Sequence, residues 1–362
     1  LFDARYELKS DLYPANVCYN IALAFQRTAQ TQHYAETSKD FTFQAKNTRP
    51  EKNREVYVMV IGETSRAANW SIYGYNRNTN PELTKIKGLT AFSHVLTESN
   101  TTHKSVPMLM SSVTAHDFNS IYRQKGIITA FKEAGYRTAF FSNQRYNHSF
   151  IDFFGKEADI CDFIKEDTGD GGYNPSDDEL LKLVAAELAE NVSKQFIVLH
   201  TYGSHFNYRE RYPADNAFFL PDFPVDAELK YKDNLINAYD NSIRYTDNFL
   251  ARLIRMLQEQ DIDAAMLYTS DHGEDIFDDD RHLFLHASPV PSYYQIHVPF
   301  LIWMSDNYRK NYPDLFKNAE INRQKNISSS ASFFQTMLEL GGIDTPSRND
   351  SLSVINASYT EK

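Results

Sequence analysis

From residue 55 onward the chain alternates short continuous apolar runs with longer stretches in which apolar residues recur every three or four positions. The runs at 56–61, 137–142, 195–199, 264–269 and 298–304 have the length of strands buried on both faces, and 90–96 alternates like a further strand. Between them the spacing predicts helices. A short one covers 106–112, and another covers 125–134 and stops at Gly135. A third, 177–191, opens on Asp-Asp-Glu, where negative charge favours the helix dipole. The longest covers 229–258 and carries Ile236, Tyr239, Ile243, Leu250, Leu253 and Leu257 along one face. The last, 330–340, is closed by Gly341-Gly342. Strand and helix alternate without an internal repeat, which predicts an α/β fold: a doubly wound, mostly parallel sheet with helices on both faces. Residues 1–54 are different. They are polar and weakly patterned, with a short amphipathic helix expected at 16–26 and a charged, aperiodic, extended connection over 37–55.

Composition narrows the possibilities. With 362 residues, 42% of them hydrophobic, the chain can bury a large core in one big α/β domain or two smaller ones. Forty-eight acidic against 37 basic residues leave a net charge of −11, which argues against a nucleic-acid backbone as the main partner. A phosphate substrate stays open, because a bound metal can supply local positive charge. No apolar run approaches the roughly 18 residues needed to span a bilayer. The chain opens on Leu1 and is read as an excised or processed fragment. Cys18 and Cys161 form no metal motif; pairing in an oxidising compartment stays open, with two separate buried thiols as the default reading.

The candidate chemistry lies where the predicted strands end. The run 56–61 stops at Gly62-Glu63-Thr64, and the run 264–269 stops at Asp271-His272-Gly273, where Gly273 is expected to let the backbone turn sharply. His200 and His205 follow the run 195–199, and Thr101-Thr102 lie between the strand at 90–96 and the next helix. Each has a bland reading by itself. Glu63 reads as a solvated loop carboxylate, Thr101 or Thr102 as a helix cap, and the histidines as loop imidazoles. Open α/β sheets, however, bind ligands at the carboxyl ends of their strands. Convergence there would give zinc a glutamate, an aspartate and a histidine, with a hydroxyl in the fourth position. A threonine hydroxyl on zinc becomes a much better nucleophile, and a helix N-terminus beneath it favours an anion. Phosphoryl transfer suits that equipment.

Four segments then match a known pattern: Val-Met-Val-Ile-Gly-Glu-Thr-Ser-Arg at 58–66, Tyr-Gly-Tyr-Asn-Arg-Asn-Thr-Asn-Pro at 73–81, Ser-Asn-Thr-Thr-His-Lys-Ser-Val-Pro at 99–107 and Tyr-Thr-Ser-Asp-His-Gly-Glu at 268–274. In this order, over residues 55–345, they resemble the phosphoethanolamine transferases of the alkaline phosphatase and sulfatase superfamily, which include the mobile colistin-resistance enzymes. The resemblance implies that Glu63, Asp271, His272 and Thr102 hold one Zn2+, with Thr102 also the nucleophile. A second ion is possible near Asp275 and the acidic run 278–280. His205 and His286 are implied as catalytic, steadying charge on the transferred phosphate or protonating the leaving alkoxide. Asn143, Gln144 and His148 fall at substrate-pocket positions, and His282, beside Arg281, competes with His286 for its role. Ala287 replaces a family glycine, although alanine tolerates positive φ poorly, and the family's many cysteines are absent.

The implied donor is phosphatidylethanolamine and the implied acceptor a lipid A phosphate or other envelope glycan. A monomer at the periplasmic face of the bacterial inner membrane is expected. Residues 55–362 would form the catalytic domain and residues 1–54 a linker arm following an N-terminal membrane domain, with 13–25 against the membrane surface. The alternatives are a phosphodiesterase or phosphoglycerol transferase of the same superfamily and, from a different class, a metal-stabilised binding module. A sulfatase would need Cys or Ser in a Cys/Ser-x-Pro-x-Arg motif, which Thr102-His-Lys-Ser-Val-Pro does not supply.

Overall fold

The computed structural model describes residues 14–50, 53–165 and 174–361. Its centre is a seven-stranded sheet. In chain order the strands are β1 Glu55–Gly62, β2 Leu89–Phe92, β3 Arg137–Ser142, β4 Ile160–Phe163, β5 Lys194–His200, β6 Asp263–Ser270 and β7 Phe300–Met304. Across the sheet they lie β2-β7-β6-β1-β5-β3-β4. Only the two pairings made by β7 are antiparallel, so the sheet is mostly parallel. Every residue of β1 and β6 is buried, which explains why these strands read as unbroken apolar runs.

The principal helices are α1 Ala15–Gln32, α2 Thr102–Leu109, α3 Ile127–Glu133, α4 Asp178–Ala189, α5 Lys232–Gln258 and α6 Ser329–Leu340. They cover both faces, as the alternation predicts. Tyr57, Met59 and Ile61 of β1 share a core with Phe131 of α3 and Phe333, Phe334 and Met337 of α6. Val56, Val58 and Val60 share the other core with Leu180 and Val184 of α4 and Ile243, Leu250, Leu253 and Leu257 of α5. Register then fixes the active edge. Ile61 pairs with His200 of β5 on one side and Thr269 of β6 on the other, so the chain leaves three adjacent strands at one level.

Several expectations need correction. The strand expected at 90–96 is two strands: Leu89–Phe92 joins the main sheet, and His94–Leu96 pairs in parallel with Asn326–Ser328. Thr90, Phe92 and Val95 are the buried positions, so the period of two slips a residue at Ser93. The helix expected at 106–112 begins four residues earlier, with Thr101 as an extended N-cap and the polar Thr102-His103-Lys104 in its first turn. Cys18 is exposed, Cys161 is half-buried, and the two are unpaired. Cys18 shares exposure with Val17, Tyr19 and Ile21, so this part of α1, which contains the expected helix 16–26, does not bury its thiol. From Tyr34 the arm is tied down: Tyr34, Phe43 and Ala45 are buried in the core, and Lys46–Asn47 pairs with Ile343–Asp344. Among the described residues no helix is long and apolar enough to cross a membrane.

Candidate active site

Glu63 leaves β1, Asp271 and His272 leave β6, and Thr102 opens α2; the fold brings these four side chains together. Glu63, Asp271 and His272 are fully buried and offer ligand atoms within 4.8 Å of one another. His272 Nε2 lies 3.5 Å from Glu63 Oε1 and 3.3 Å from Asp271 Oδ2. Thr102 Oγ1 sits 3.2 and 3.3 Å from the two Glu63 oxygens and 3.1 Å from His272 Nε2.

The hydrogen bonds around this cluster leave electron pairs facing inward. His272 Nδ1 lies 2.9 Å from the Gly273 carbonyl, which can only accept, so the proton sits on Nδ1 and Nε2 presents a lone pair. Asp271 Oδ1 accepts from the Thr64 and His272 amides at 3.1 and 2.7 Å, whereas Oδ2 has no hydrogen-bond partner although it is buried. A buried carboxylate oxygen without a donor, opposite a second carboxylate and an imidazole lone pair, is unstable unless a cation lies among them. Burial, followed by repulsion from Asp271, raises the Glu63 pKa well above the usual carboxylate range. Burial lowers His272 to about 4, with Asp271 opposing, so its imidazole is neutral and able to ligate. The donor set of two carboxylate oxygens, one imidazole nitrogen and one hydroxyl fits zinc.

Neighbouring groups hold these side chains in place. Thr64, at φ 59°, donates its hydroxyl to Glu63 Oε1 at 2.6 Å, and its carbonyl accepts from Tyr239 of α5 at 2.8 Å. A β-branched residue in the left-handed region is strained, and these two bonds hold Thr64 there beside Glu63. Ser105 of α2 donates to the Asp271 carbonyl at 2.5 Å, coupling the helix that carries Thr102 to the strand end that carries Asp271 and His272. Gly273 does not have positive φ. It is required for close approach, because a Cβ there would lie 2.2 Å from the Tyr294 carbonyl, and this replaces the sharp turn expected from the sequence.

The remaining expected residues distribute unevenly. His286 is close: its ring centroid is 4.2 Å from that of His272, and Nδ1 is 3.5 Å from Glu274 Oε2. Burial alone would lower the His286 pKa, but the Glu274 carboxylate raises it. His205 stacks on Tyr202 and its ring lies 6.2 Å from His286; Nδ1 donates to the Phe206 carbonyl, and burial lowers its pKa. His200 lies fully buried behind the edge, lowered to about 4 by burial against a smaller opposing pull from Asp271. Gln144 reaches the cluster, with Nε2 3.4 Å from Glu63 Oε2. Asn143 instead turns to Asp177 and the Pro175 carbonyl.

His148 is exposed and lines a separate cavity beside Tyr34 and Phe153, because φ of 60° turns it away from the strand end. His282 is exposed on a turn at φ 51°. Asp275 is bonded to Ser292 and Gln295, and Asp278 pairs with Arg66. Ala287 adopts φ 64°, the conformation a glycine would take without strain. Glu274 was not singled out as functional despite lying within 268–274; the short spacing from His272 was its only signal. A cavity of about 310 Å³ opens beside the cluster, lined by Thr102, Gln144, Lys165, Tyr202 and His205.

A threonine-bearing helix N-terminus over a buried cluster of side chains able to hold a metal, at the carboxyl edge of a mostly parallel α/β sheet, is the arrangement of a metal-assisted group-transfer or hydrolytic enzyme. The Sulfatase family model matches residues 55–343, and the chain belongs to that family. It is 31% identical over 296 residues to the Kdo(2)-lipid A phosphoethanolamine 7''-transferase of Escherichia coli (strain K12), covering 80% of this chain and 51% of that protein. The chain thus spans about half the length of the curated relatives it matches. Among solved structures, the C-terminal periplasmic domain of EptC from Escherichia coli in complex with zinc superposes with TM-score 0.80 at 24% identity, covering 88% of this chain and 90% of that one. The integral membrane lipooligosaccharide phosphoethanolamine transferase A of Neisseria meningitidis superposes with TM-score 0.79 at 23% identity, covering 95% of this chain and 64% of that one. At these identities the likeness is one of fold.

Proposed function

We propose that this chain is the catalytic part of a zinc-dependent phosphoethanolamine transferase that moves the headgroup of phosphatidylethanolamine to a lipid A phosphate or another envelope glycan through a phospho-threonine intermediate. One observation carries the reading: the Thr102 hydroxyl, at the start of α2, lies within 3.3 Å of two groups suited to bind a metal. Relatives named as phosphoethanolamine transferases support the reaction class.

Glu63, Asp271, His272 and Thr102 would hold one zinc ion. When bound, zinc lowers the pKa of the Thr102 hydroxyl and screens the charge of an approaching phosphodiester. Thr102 Oγ1 attacks phosphorus, its bond to phosphorus forms, and the bond from phosphorus to the diacylglycerol oxygen breaks. The Thr102 proton passes to the Nε2 lone pair of His205, and His286, held on Glu274, protonates the departing alkoxide. The acceptor oxygen then attacks the same phosphorus as the bond from phosphorus to Thr102 breaks; the acceptor's proton restores His286, and His205 returns its proton to Thr102. Two cavities adjoin this loop: one includes Thr102, and the other, of about 590 Å³, includes Thr101, His103 and Lys104. Together they give room for donor and acceptor in turn.

The same proposal takes residues 55–362 as the catalytic domain and residues 1–54 as an arm to a membrane domain at the periplasmic face of the inner membrane, acting as a monomer. The fold shared with an integral membrane protein supports that address. The test is product accounting with phosphatidylethanolamine and lipid A as substrates. Diacylglycerol and modified lipid A should appear in equal amounts. Free phosphoethanolamine in place of modified lipid A would overturn transfer in favour of hydrolysis.

A further inference from the structure

Beside the metal cluster, the cavity wall gathers positive charge around a single ring. Lys165 Nζ lies 3.4 Å from the centroid of Tyr202, and Arg211 Cζ lies 4.0 Å from the same centroid. Lys165, Tyr202 and Arg145 line the cavity that also contains Thr102 and His205. Two cations against one ring repel each other, and both are largely buried, so water screens the repulsion poorly. Among the described residues no carboxylate forms an ion pair with Lys165, whereas Arg211 is held by exposed Glu210 at 3.1 Å. The two buried carboxylates nearby are engaged elsewhere. Asp152 accepts the Asn147 and Ser149 amides, and Asp177 accepts the Tyr202 and Gly203 amides. Burial, then the proximity of Arg211 and Arg145, lowers the Lys165 pKa to about 8. Such a group gains most from an anion placed against it.

We propose that Lys165, held against Tyr202 on the cavity wall with Arg211 buried against the same ring, forms a phosphate-binding subsite of the active-site cavity, separate from the zinc ligands. The ring holds the guanidinium and the ammonium in fixed positions, so little side-chain freedom is lost when a phosphate docks. This deepens the transfer reading, on which the assignment of that phosphate to a substrate rests. The phosphate can belong to the donor phosphodiester or to a phosphomonoester on the acceptor.

The test begins with binding. Inorganic phosphate is titrated into the full chain and followed by calorimetry, for wild type, Lys165→Met, Lys165→Arg and Arg211→Gln. Affinity should fall about tenfold in Lys165→Met, the loss expected for a charge-assisted contact, and should be kept in Lys165→Arg; Arg211→Gln, which removes a cation that does not line the cavity, should change it less. Unchanged affinity in Lys165→Met overturns the subsite, and so does equal loss in Lys165→Arg. Kinetic arms identify the source. Slower loading of Thr102 from phosphatidylethanolamine in Lys165→Met assigns the donor phosphate. Normal loading with slower discharge by glucose 1-phosphate, but not by glucose, assigns the acceptor phosphate, and no change in either step overturns a substrate role. If wild type never loads, the transfer reading fails, yet the phosphate titration still decides the subsite.

Discussion

Asp271→Asn separates a metal site from a merely polar core, because the two predict opposite changes in stability. In the protein without metal, Asp271 Oδ1 already accepts two amide protons, and an asparagine oxygen can keep both. The change falls on Oδ2, which has no donor and faces the His272 Nε2 lone pair at 3.3 Å. An amide NH2 there supplies the missing proton and removes one of two buried carboxylates. One new hydrogen bond contributes about 1 kcal/mol, and relief of carboxylate repulsion adds to it. With zinc the sign reverses. Zinc at a thousand times its Kd stabilises the native state by about 4.1 kcal/mol, and a hundredfold loss of affinity leaves about 1.4 kcal/mol. For a chain of this length each kcal/mol moves Tm by about 1–2 °C. Thermal unfolding in chelator and in excess zinc is the assay. Asp271→Asn should melt above wild type in chelator and below it in zinc. A variant that melts below wild type in chelator, with the same gain from zinc, would refute the reasoning.

Two further outcomes follow from the same geometry. Gly273→Ala forces a Cβ to within 2.2 Å of the Tyr294 carbonyl, so the segment bearing Asp271 and His272 must shift; denaturant unfolding should show a loss of about 1–3 kcal/mol, and zinc affinity should fall with it. Glu157 accepts the Gly126 amide and the Thr129 hydroxyl, and burial raises its pKa to about 7. A folded-state pKa above the unfolded value gives a stability contribution that is complete below pH 4.5 and lost as pH rises through 7. Wild type should therefore lose stability between pH 5 and 8 relative to Glu157→Gln, whose side chain does not titrate, and parallel unfolding curves for the two proteins would contradict this.

Much of this was legible because parallel strands buried on both faces leave an uninterrupted apolar signal that ends where the chain reaches the sheet edge. Glu63, Asp271 and His272 stand directly at such ends, whereas Thr101-Thr102 follow the short, half-exposed strand His94–Leu96. The supporting groups were not legible. Tyr239 reads as one more apolar position on α5, yet its hydroxyl sets the Thr64 carbonyl. Ser105 stands just before the helix expected at 106–112, and only tertiary packing brings it to Asp271. Gly273 announced a special backbone without saying which constraint required it, and the answer depends on Tyr294 in the short helix Tyr293–Ile296. The cations around Tyr202 come from positions 165 and 211, separated by a strand and a helix, and no local pattern links them. His148 lies near the right strand end, but its backbone conformation directs it into another cavity.

The central claim is that Thr102 carries the phosphoethanolamine group between donor and acceptor. Its most direct test is intact mass after incubation with phosphatidylethanolamine and zinc, without acceptor, for wild type beside Thr102→Ala, followed by peptide mapping. Wild type alone should gain one phosphoethanolamine, located on the peptide containing Thr102 and lost when acceptor is added. An adduct on Thr102→Ala, or full transfer activity in that variant, would contradict it.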